Sequence, residues 1–349
     1  MQMKKIVSFI VFMLILIVFC FYRLDYYIMK PGSAYDVSRF VNVQDGDIDD
    51  EGTFNLMTVS MFQATPLTYV IAYFNEFQDT LLIKDVRHEE EDDEEYNVRQ
   101  LKLMTDSQFN ALYIAFQKAG LPFTVTYNGI TVLNVLSGGA ADGKIKPGDE
   151  IVEIDGQLVH KAEDLTAILN EKKENEEVHL VLNRDDKLID QTVTLKEIPG
   201  SDPKRIGIGI NYSQSKSIKT EPFVKVDAEE IGGPSAGLMF TLEILNQLLD
   251  EDLSKGYLIA GTGEMNEDGT VGRIGGIEKK VAAAHEDGME IFFAPDDEIT
   301  EAMLKVNPDI KSNYEVAVLT AEKIGTKMKI VPVKTIDDAL AYLEQLEEK

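Results

Sequence analysis

The 349-residue sequence has a single cysteine, Cys20, so no disulfide can close within the chain and no CxxC metal or redox site exists. Histidine is nearly as scarce: His88, His160, His179 and His285 are scattered, no HExxH occurs, and no pair stands at helical ligand spacing. Zinc peptidase chemistry is therefore without support, and no metal or cofactor is called for. Basic residues are outnumbered, with 34 Lys and Arg against 61 Asp and Glu, for a formal net charge of −27. So acidic a chain offers no basic stripe for a phosphate backbone, which argues against nucleic acid and favours cationic peptides or proteins as partners. The phosphate-cradling pattern GxxxxGK(S/T) is also missing.

What is present is enough apolar sequence, 44%, to build the cores of two or three domains at this length. Lys4 and Lys5 precede "IVSFIVFMLILIVFCFY", Ile6 to Tyr22, a run without charge. As a helix it spans roughly 25 Å, near the lower limit for crossing a bilayer. A cleaved signal peptide needs a small-residue cleavage site, which "RLDYYIMKPGS" does not offer, so residues 1–30 read as a cytoplasmic tip and an uncleaved signal anchor. Lys4 and Lys5 against Arg23, Asp25 and Lys30 give a slight positive-inside bias. It puts the rest of the chain outside the cell, with Tyr22, Tyr26 and Tyr27 at the interface.

Residues 31–118 read as a mixed α/β segment without chemistry, a spacer or a lid. "GTFNLMTVSMF" is expected as a strand, and Thr65 with Pro66 as the cap and first residue of a helix. The acidic run Glu89 to Glu95 reads as a solvated loop, or else as an attractor of calcium or cationic substrate. A second helix is expected from Asp106, with Phe109, Leu112, Tyr113 and Phe116 on one face and Gly120 as its stop.

Residues 119–197 change to short strands, a glycine-rich turn and one helix. A strand over Ile130 to Val135, the turn "GGAADGKIKPGDE", the alternating strand "IVEIDG", a helix in "KAEDLTAILNEK" and a hairpin in "EEVHLVLNRDDKLIDQTVTL" strongly resemble a PDZ domain, a small β-barrel with helices. The resemblance implies capture of an extended peptide by strand addition beside the helix, unless the fold only packs between its neighbours. "GLPF" resembles its carboxylate loop, with Pro122 in place of a glycine, which makes Gly120, Leu121 and Phe123 the candidate peptide-binding residues.

Residues 198–349 return to α/β character, opening with strands in "IGIGINYS" and "EPFVKVDA". In "EEIGGPSAGLMFTLEIL" Ser235 follows Pro234 at the start of a buried helix, where most serines are caps or first-turn residues. The alternative is a nucleophile. Gly232 and Gly233 permit close approach of a substrate, and a helix start presents free N–H groups and a positive dipole end to an alkoxide or oxyanion. With no histidine placed as a base, the base must be a lysine. On the helix in "GGIEKKVAAAH", Lys280 shares a face with Ile277, Val281 and Ala284, whereas Lys279 points about 100° away. Burial would lower the pKa of such a lysine and let it accept a proton, unless it snorkels at the helix edge.

"GGPSAG" followed by "GTGEMNEDGTVGRIGGIEKKVAAAH" resembles the proteolytic domain of Lon-type serine peptidases, over about 130 residues. The resemblance places the nucleophile on Ser235, the general base on Lys280 and a threonine bonded to that lysine on Thr262. Gly232 stands where Lon has an aspartate, and the serine-to-lysine spacing is two residues longer, which "DEDLSKG" absorbs. Without a phosphate loop the Lon ATPase is missing. The order of anchor, PDZ and Lon-like domain resembles the anchored PDZ-Lon peptidases of Gram-positive bacteria, the YlbL and SepM-like group. It implies an α+β multidomain serine endopeptidase that needs no ATP and cleaves secreted peptides or flexible protein segments, peptide pheromones among them. Oxyanion donors are expected near Gly233 and Ser235, and a homo-oligomer is compatible with the family. The competing reading is a scaffold whose PDZ domain recruits partners beside an inert Lon-like domain.

Overall fold

Residues 2–47, 51–88, 91–228 and 231–349 are described, from a computed structural model. The first element is the helix Gln2–Phe21, whose 19-residue span Met3–Phe21 has no buried residue and is long and apolar enough to cross a membrane. At 1.5 Å per residue that span measures about 28 Å, close to the hydrocarbon thickness of a bilayer.

The chain folds into two compact units. One comprises Met1–Glu90, Lys225–Asp227 and Pro234–Lys349, the other Glu91–Val224 and Ala228–Gly233. This division differs from boundaries at 118/119 and 197/198 on both sides, for reasons that lie in the two sheets.

The six-stranded sheet of the first unit runs in the order Lys329–Val333, Ile291–Pro295, Leu258–Gly261, Thr53–Gln63, Tyr26–Asp36, Asp79–Leu82. The first four strands are parallel, Tyr26–Asp36 pairs antiparallel with Thr53–Gln63, and Asp79–Leu82 pairs antiparallel with Tyr26–Asp36. Three of the six therefore come from the amino-terminal segment, which is neither spacer nor lid. The physical reason is visible in Thr53–Gln63, where Phe54, Asn55, Leu56 and Met57 are all buried, as in an interior strand covered on both faces. Met57 shares one core with Ala260, Phe292 and the helix residues Ile277, Val281 and Ala284. The helix Gly237–Leu248 is buried over eleven successive residues, Gly237 to Gln247. It can approach the sheet because Gly261 has no side chain: a Cβ there would sit 2.5 Å from the Met239 sulfur.

The second unit begins with the helix Asp93–Ala119, thirteen residues ahead of the start expected at Asp106. The described part of the acidic run, Glu91 to Glu95, leads into and starts this helix rather than forming a solvated loop. Asp92 caps the helix in a reciprocal box with Glu95, and Asp93, Glu94 and Glu95 fill the first turn, where carboxylates meet the positive end of the helix dipole. Glu91 is buried against the Arg99 guanidinium, which donates to both its oxygens at 2.7 and 2.8 Å. Glu89 and Glu90 lie outside the described residues. Gly120 ends the helix in the left-handed conformation, φ 68°.

The sheet of this unit is antiparallel, in the order Ile210–Thr220, Phe123–Val135, Glu150–Ile154, Glu177–Arg184, Lys187–Thr194. Ile210–Thr220 pairs with Phe123–Val135 from Ile210 opposite Val135 to Thr220 opposite Phe123. "IGIGINYS" thus closes this unit and does not open the next. The strand of Ile210–Thr220 is an edge of the sheet.

Candidate active site

Ser235 precedes the helix Gly237–Leu248, whose cap is the backbone of Ala236 with no side-chain cap bond. The Ser235 hydroxyl is therefore not spent as a cap. The residue is half-buried, and its carbonyl is held by the N–H of Gly263 at 2.9 Å and the hydroxyl of Thr262 at 3.0 Å. These two bonds fix the serine against the loop that follows the strand Leu258–Gly261.

Lys280 lies on the helix Ile277–Glu286 and is 2% exposed, which rules out snorkelling. Its Nζ is 2.8 Å from Ser235 Oγ and 2.9 Å from Thr262 Oγ1, and Thr262 is itself fully buried. Burial alone pushes the lysine from its ordinary 10.5 down to about 7. Because Thr262 donates its proton to the Ser235 carbonyl, its oxygen faces Lys280 as an acceptor. A neutral Lys280 then points an N–H at Thr262 and has its lone pair free for Ser235 Oγ.

Lys279 is equally buried rather than turned to solvent, and it is compensated: its Nζ pairs with Asp79, from the edge strand Asp79–Leu82, and with Glu278 at 2.6 Å.

The donors available to an oxyanion are fewer than expected. Gly233, with φ 88°, gives its N–H to the carbonyl of Gln100 at 3.0 Å, and Pro234 has none to give. Among the described residues the N–H groups of Ser235 and Ala236 have no partner. Gly232 is exposed, and a Cβ at that position would meet the Gln100 side chain at 3.2 Å. Glu229 and Glu230, which open the serine stretch, lie outside the described residues.

Gly120, Leu121 and Phe123, the candidate peptide-binding residues, do not line the groove of the second unit. Gly120 is the helix end, Leu121 bonds back to the Phe116 carbonyl at 3.1 Å, and Phe123 starts the strand paired with Ile210–Thr220. That groove, of 350 Å³, lies between the helix Ala162–Asn170 and the edge strand, lined by Leu165, Leu169, Ile206, Ile208, Ile210 and Tyr212, with Arg205 and Lys172 beside them. Ile208 and Gly209 turn their carbonyls inward, to Ala141 N–H at 2.8 Å and Leu136 N–H at 2.9 Å. Among the described residues their own N–H groups have no partner. Gly209 has φ 76°, and a Cβ on it would lie 3.1 Å from Gly139 Cα. The glycines of "IGIGI" alternate with isoleucine and so read as a strand, whereas Ile208 and Gly209 lie between the strands Ile206–Gly207 and Ile210–Thr220. Across the groove Gln214 accepts from the Ala162 N–H at 3.2 Å and donates to the His160 carbonyl at 2.7 Å, tying helix to strand.

Two family models match the chain: PDZ domain over residues 118–195, and Lon protease (S16) C-terminal proteolytic domain over residues 214–343. The chain carries a PDZ domain and a Lon-type proteolytic domain. The Lon-type domain supports a serine peptidase. The strands Tyr26–Asp36 and Thr53–Gln63 lie outside both matches. Among curated proteins, Lon protease of Acinetobacter baumannii is 29% identical over 109 residues, 31% of this chain and 13% of that protein. Lon protease of Campylobacter concisus is 32% identical over 108 residues, 31% of this chain and 11% of that protein. The chain thus spans little more than a tenth of the length of these relatives. A crystal structure of the PDZ domain of the SdrC-like protein from Listeria monocytogenes is 28% identical, covering 26% of this chain and 92% of that one, with a TM-score of 0.24.

Proposed function

We propose that this protein is a membrane-anchored serine endopeptidase that works without ATP through a dyad of Ser235 and Lys280. The observation that carries the reading is the uncompensated burial of Lys280, with Nζ 2.8 Å from Ser235 Oγ and a pKa brought down to about 7. An ordinary lysine would be neutral in fewer than about one molecule in a thousand at pH 7, whereas here about half are.

Neutral Lys280 takes the proton of Ser235 as Oγ attacks the scissile carbonyl carbon. The N–H groups of Ser235 and Ala236 hold the oxyanion. The Lys280 ammonium then protonates the departing amine, leaving an acyl-serine, and hydrolysis repeats the proton transfers with water as the nucleophile. Thr262 keeps the lysine aimed at Oγ throughout.

With no nucleotide-binding loop in the sequence, substrates are peptides or segments already unfolded, secreted peptides such as pheromones among them. The groove beside Ala162–Asn170 takes their carboxyl terminus by addition to the free edge of Ile210–Thr220, with the carboxylate on the N–H groups of Ile208 and Gly209. The slight positive-inside bias of Lys4 and Lys5 favours the outer face of the cell for the peptidase.

The test is cleavage of flexible peptides by the purified full chain and by Ser235→Ala. Loss of cleavage with an unchanged thermal transition is the expected result. Equal cleavage by both would sink the dyad, and no cleavage by either would favour a scaffold. Mass spectrometry of peptides in the medium of cells carrying each form then identifies the substrate.

A further inference from the structure

From Thr65 to Phe74 the chain reads TPLTYVIAYF, without a charged residue. The helix Pro66–Tyr73 within it has two apolar faces with different surroundings. Tyr69 and Ala72 turn inward onto a small core with Ile28, Ala64 and Phe62. Leu67, Val70, Ile71 and Phe74, at the i, i+3, i+4, i+7 spacing of one helical face, are 39%, 46%, 50% and 82% exposed, and Tyr73 beside them is 80% exposed. A helix on a water-facing surface normally spends that face on charges.

The position of the helix indicates what covers it. It touches the helix Gln2–Phe21. The residues that leave that helix are bonded to those that lead into this one: Leu24 N–H to Ala64 O at 2.9 Å, Arg23 Nη1 to Gln63 O at 3.0 Å, and Gln63 Nε2 to Leu24 O at 3.1 Å. Thr65 then caps the next turn, and the Tyr26 and Tyr69 rings meet edge to face at 5.0 Å. The bare face is therefore pinned where the membrane span ends. A second copy of the chain is the poorer occupant, since five side chains are far short of the area of a stable interface. Basic attraction to lipid is also a poor option for a chain of net charge −27, so contact with the bilayer has to be apolar.

We propose that the helix Pro66–Tyr73 lies in the interface of the bilayer, with Leu67, Val70, Ile71 and Phe74 among the upper acyl carbons and Tyr73 at headgroup level. It acts as a second membrane contact that limits how the first unit rotates about its anchor. The inference rests on Gln2–Phe21 spanning the membrane and is independent of the peptidase dyad.

The chain has no tryptophan, so Phe74→Trp gives a single fluorophore. The full-length variant is reconstituted into phosphatidylcholine vesicles, with and without lipid brominated near the top of the acyl chains. Its emission should be blue-shifted and quenched about twofold by the brominated lipid, as for other interfacial aromatics. Val306→Trp, at an 89% exposed position, supplies the water-exposed reference. Leu67→Trp repeats the measurement on the same face should Phe74→Trp not fold. Emission like that of the reference would overturn the proposal. So would a blue shift without lipid quenching, the signature of cover by protein. Failure of the chain to float with the vesicles would overturn the anchor and this inference together, leaving the peptidase reading in place.

Discussion

Lys279 and Lys280 are consecutive and equally buried, at 1% and 2% exposure, yet they differ in what they meet. Lys279 has the carboxylates of Asp79 and Glu278, whereas the partners of Lys280 Nζ are the two uncharged hydroxyls of Ser235 and Thr262. Desolvation of a cation without a counter-charge favours the neutral amine. One lysine thus holds an edge strand to a helix, while its neighbour is prepared to accept a proton.

The rate should follow the neutral fraction of Lys280. With its pKa at about 7, log kcat/KM for a flexible peptide is expected to rise with unit slope below that pH and to level off above it. Stopped assays across pH 5 to 10 measure this. A profile still rising with unit slope at pH 9 would show that the lysine is not depressed.

The same shift has a consequence for stability, opposite in direction to that of a salt-bridged lysine. In the unfolded chain Lys280 stays protonated up to about 10.4, while in the folded chain it is neutral above about 7. Between those values the unfolded state binds more protons, so the stability of the fold rises with pH through that window. The full effect is on the order of several kcal/mol, and it is absent from Lys280→Met. Urea midpoints at pH 7 and pH 9.5 should therefore separate in the parent chain and draw together in the variant.

The signals that single out Ser235 and Lys280 are local, whereas Thr262 has none and is indicated only by the resemblance to Lon-type peptidases. A proline and serine before an apolar run and a lysine inside an apolar helical stripe can each be read within ten residues. Lys279 was not legible, since its partner Asp79 is 200 positions away and helical geometry alone points it outward. The role of Thr53–Gln63 was hidden for the same reason: four successive buried residues mark an interior strand, but no local pattern shows that its neighbour is Leu258–Gly261. The acidic run failed differently. Charge suggested solvent, while the capping chemistry of Asp92 and Glu95 and the pairing of Glu91 with Arg99 gave it structure. In "IGIGI" the alternation of glycine with isoleucine imitated the period of a strand and concealed a loop.

In the proposed mechanism Thr262 works through Lys280 and not on the substrate. Thr262→Val keeps the shape and removes both the acceptor for Lys280 and the donor to the Ser235 carbonyl. One buried hydrogen bond of about 1–3 kcal/mol corresponds to a loss of about fivefold to somewhat over a hundredfold in kcat, with KM little changed. Thr262→Ser should restore most of it. The pH profile separates positioning from general damage. With its partner gone, Lys280 loses the bond that directs its N–H away from Oγ, so the midpoint of the profile moves along with the rate, whereas a merely destabilised fold would lower the plateau and leave the midpoint in place.

The groove makes a prediction that the dyad does not. Gly209 sits at φ 76° with Gly139 Cα 3.1 Å from where its Cβ would be, so Gly209→Ala must shift the loop that bears the N–H groups of Ile208 and Gly209, which have no partner among the described residues. A peptide with a free carboxyl terminus should then bind about tenfold more weakly, while a peptide ending in an amide, which cannot use those donors as a carboxylate does, should bind as poorly to the parent chain as to the variant. Hydrolysis of a small activated ester, which needs Ser235 and Lys280 but no groove, should be unchanged. Fluorescence polarisation with the two peptides and an ester assay separate these effects. Equal binding of acid and amide peptides by the parent chain would show that the groove does not read a carboxylate.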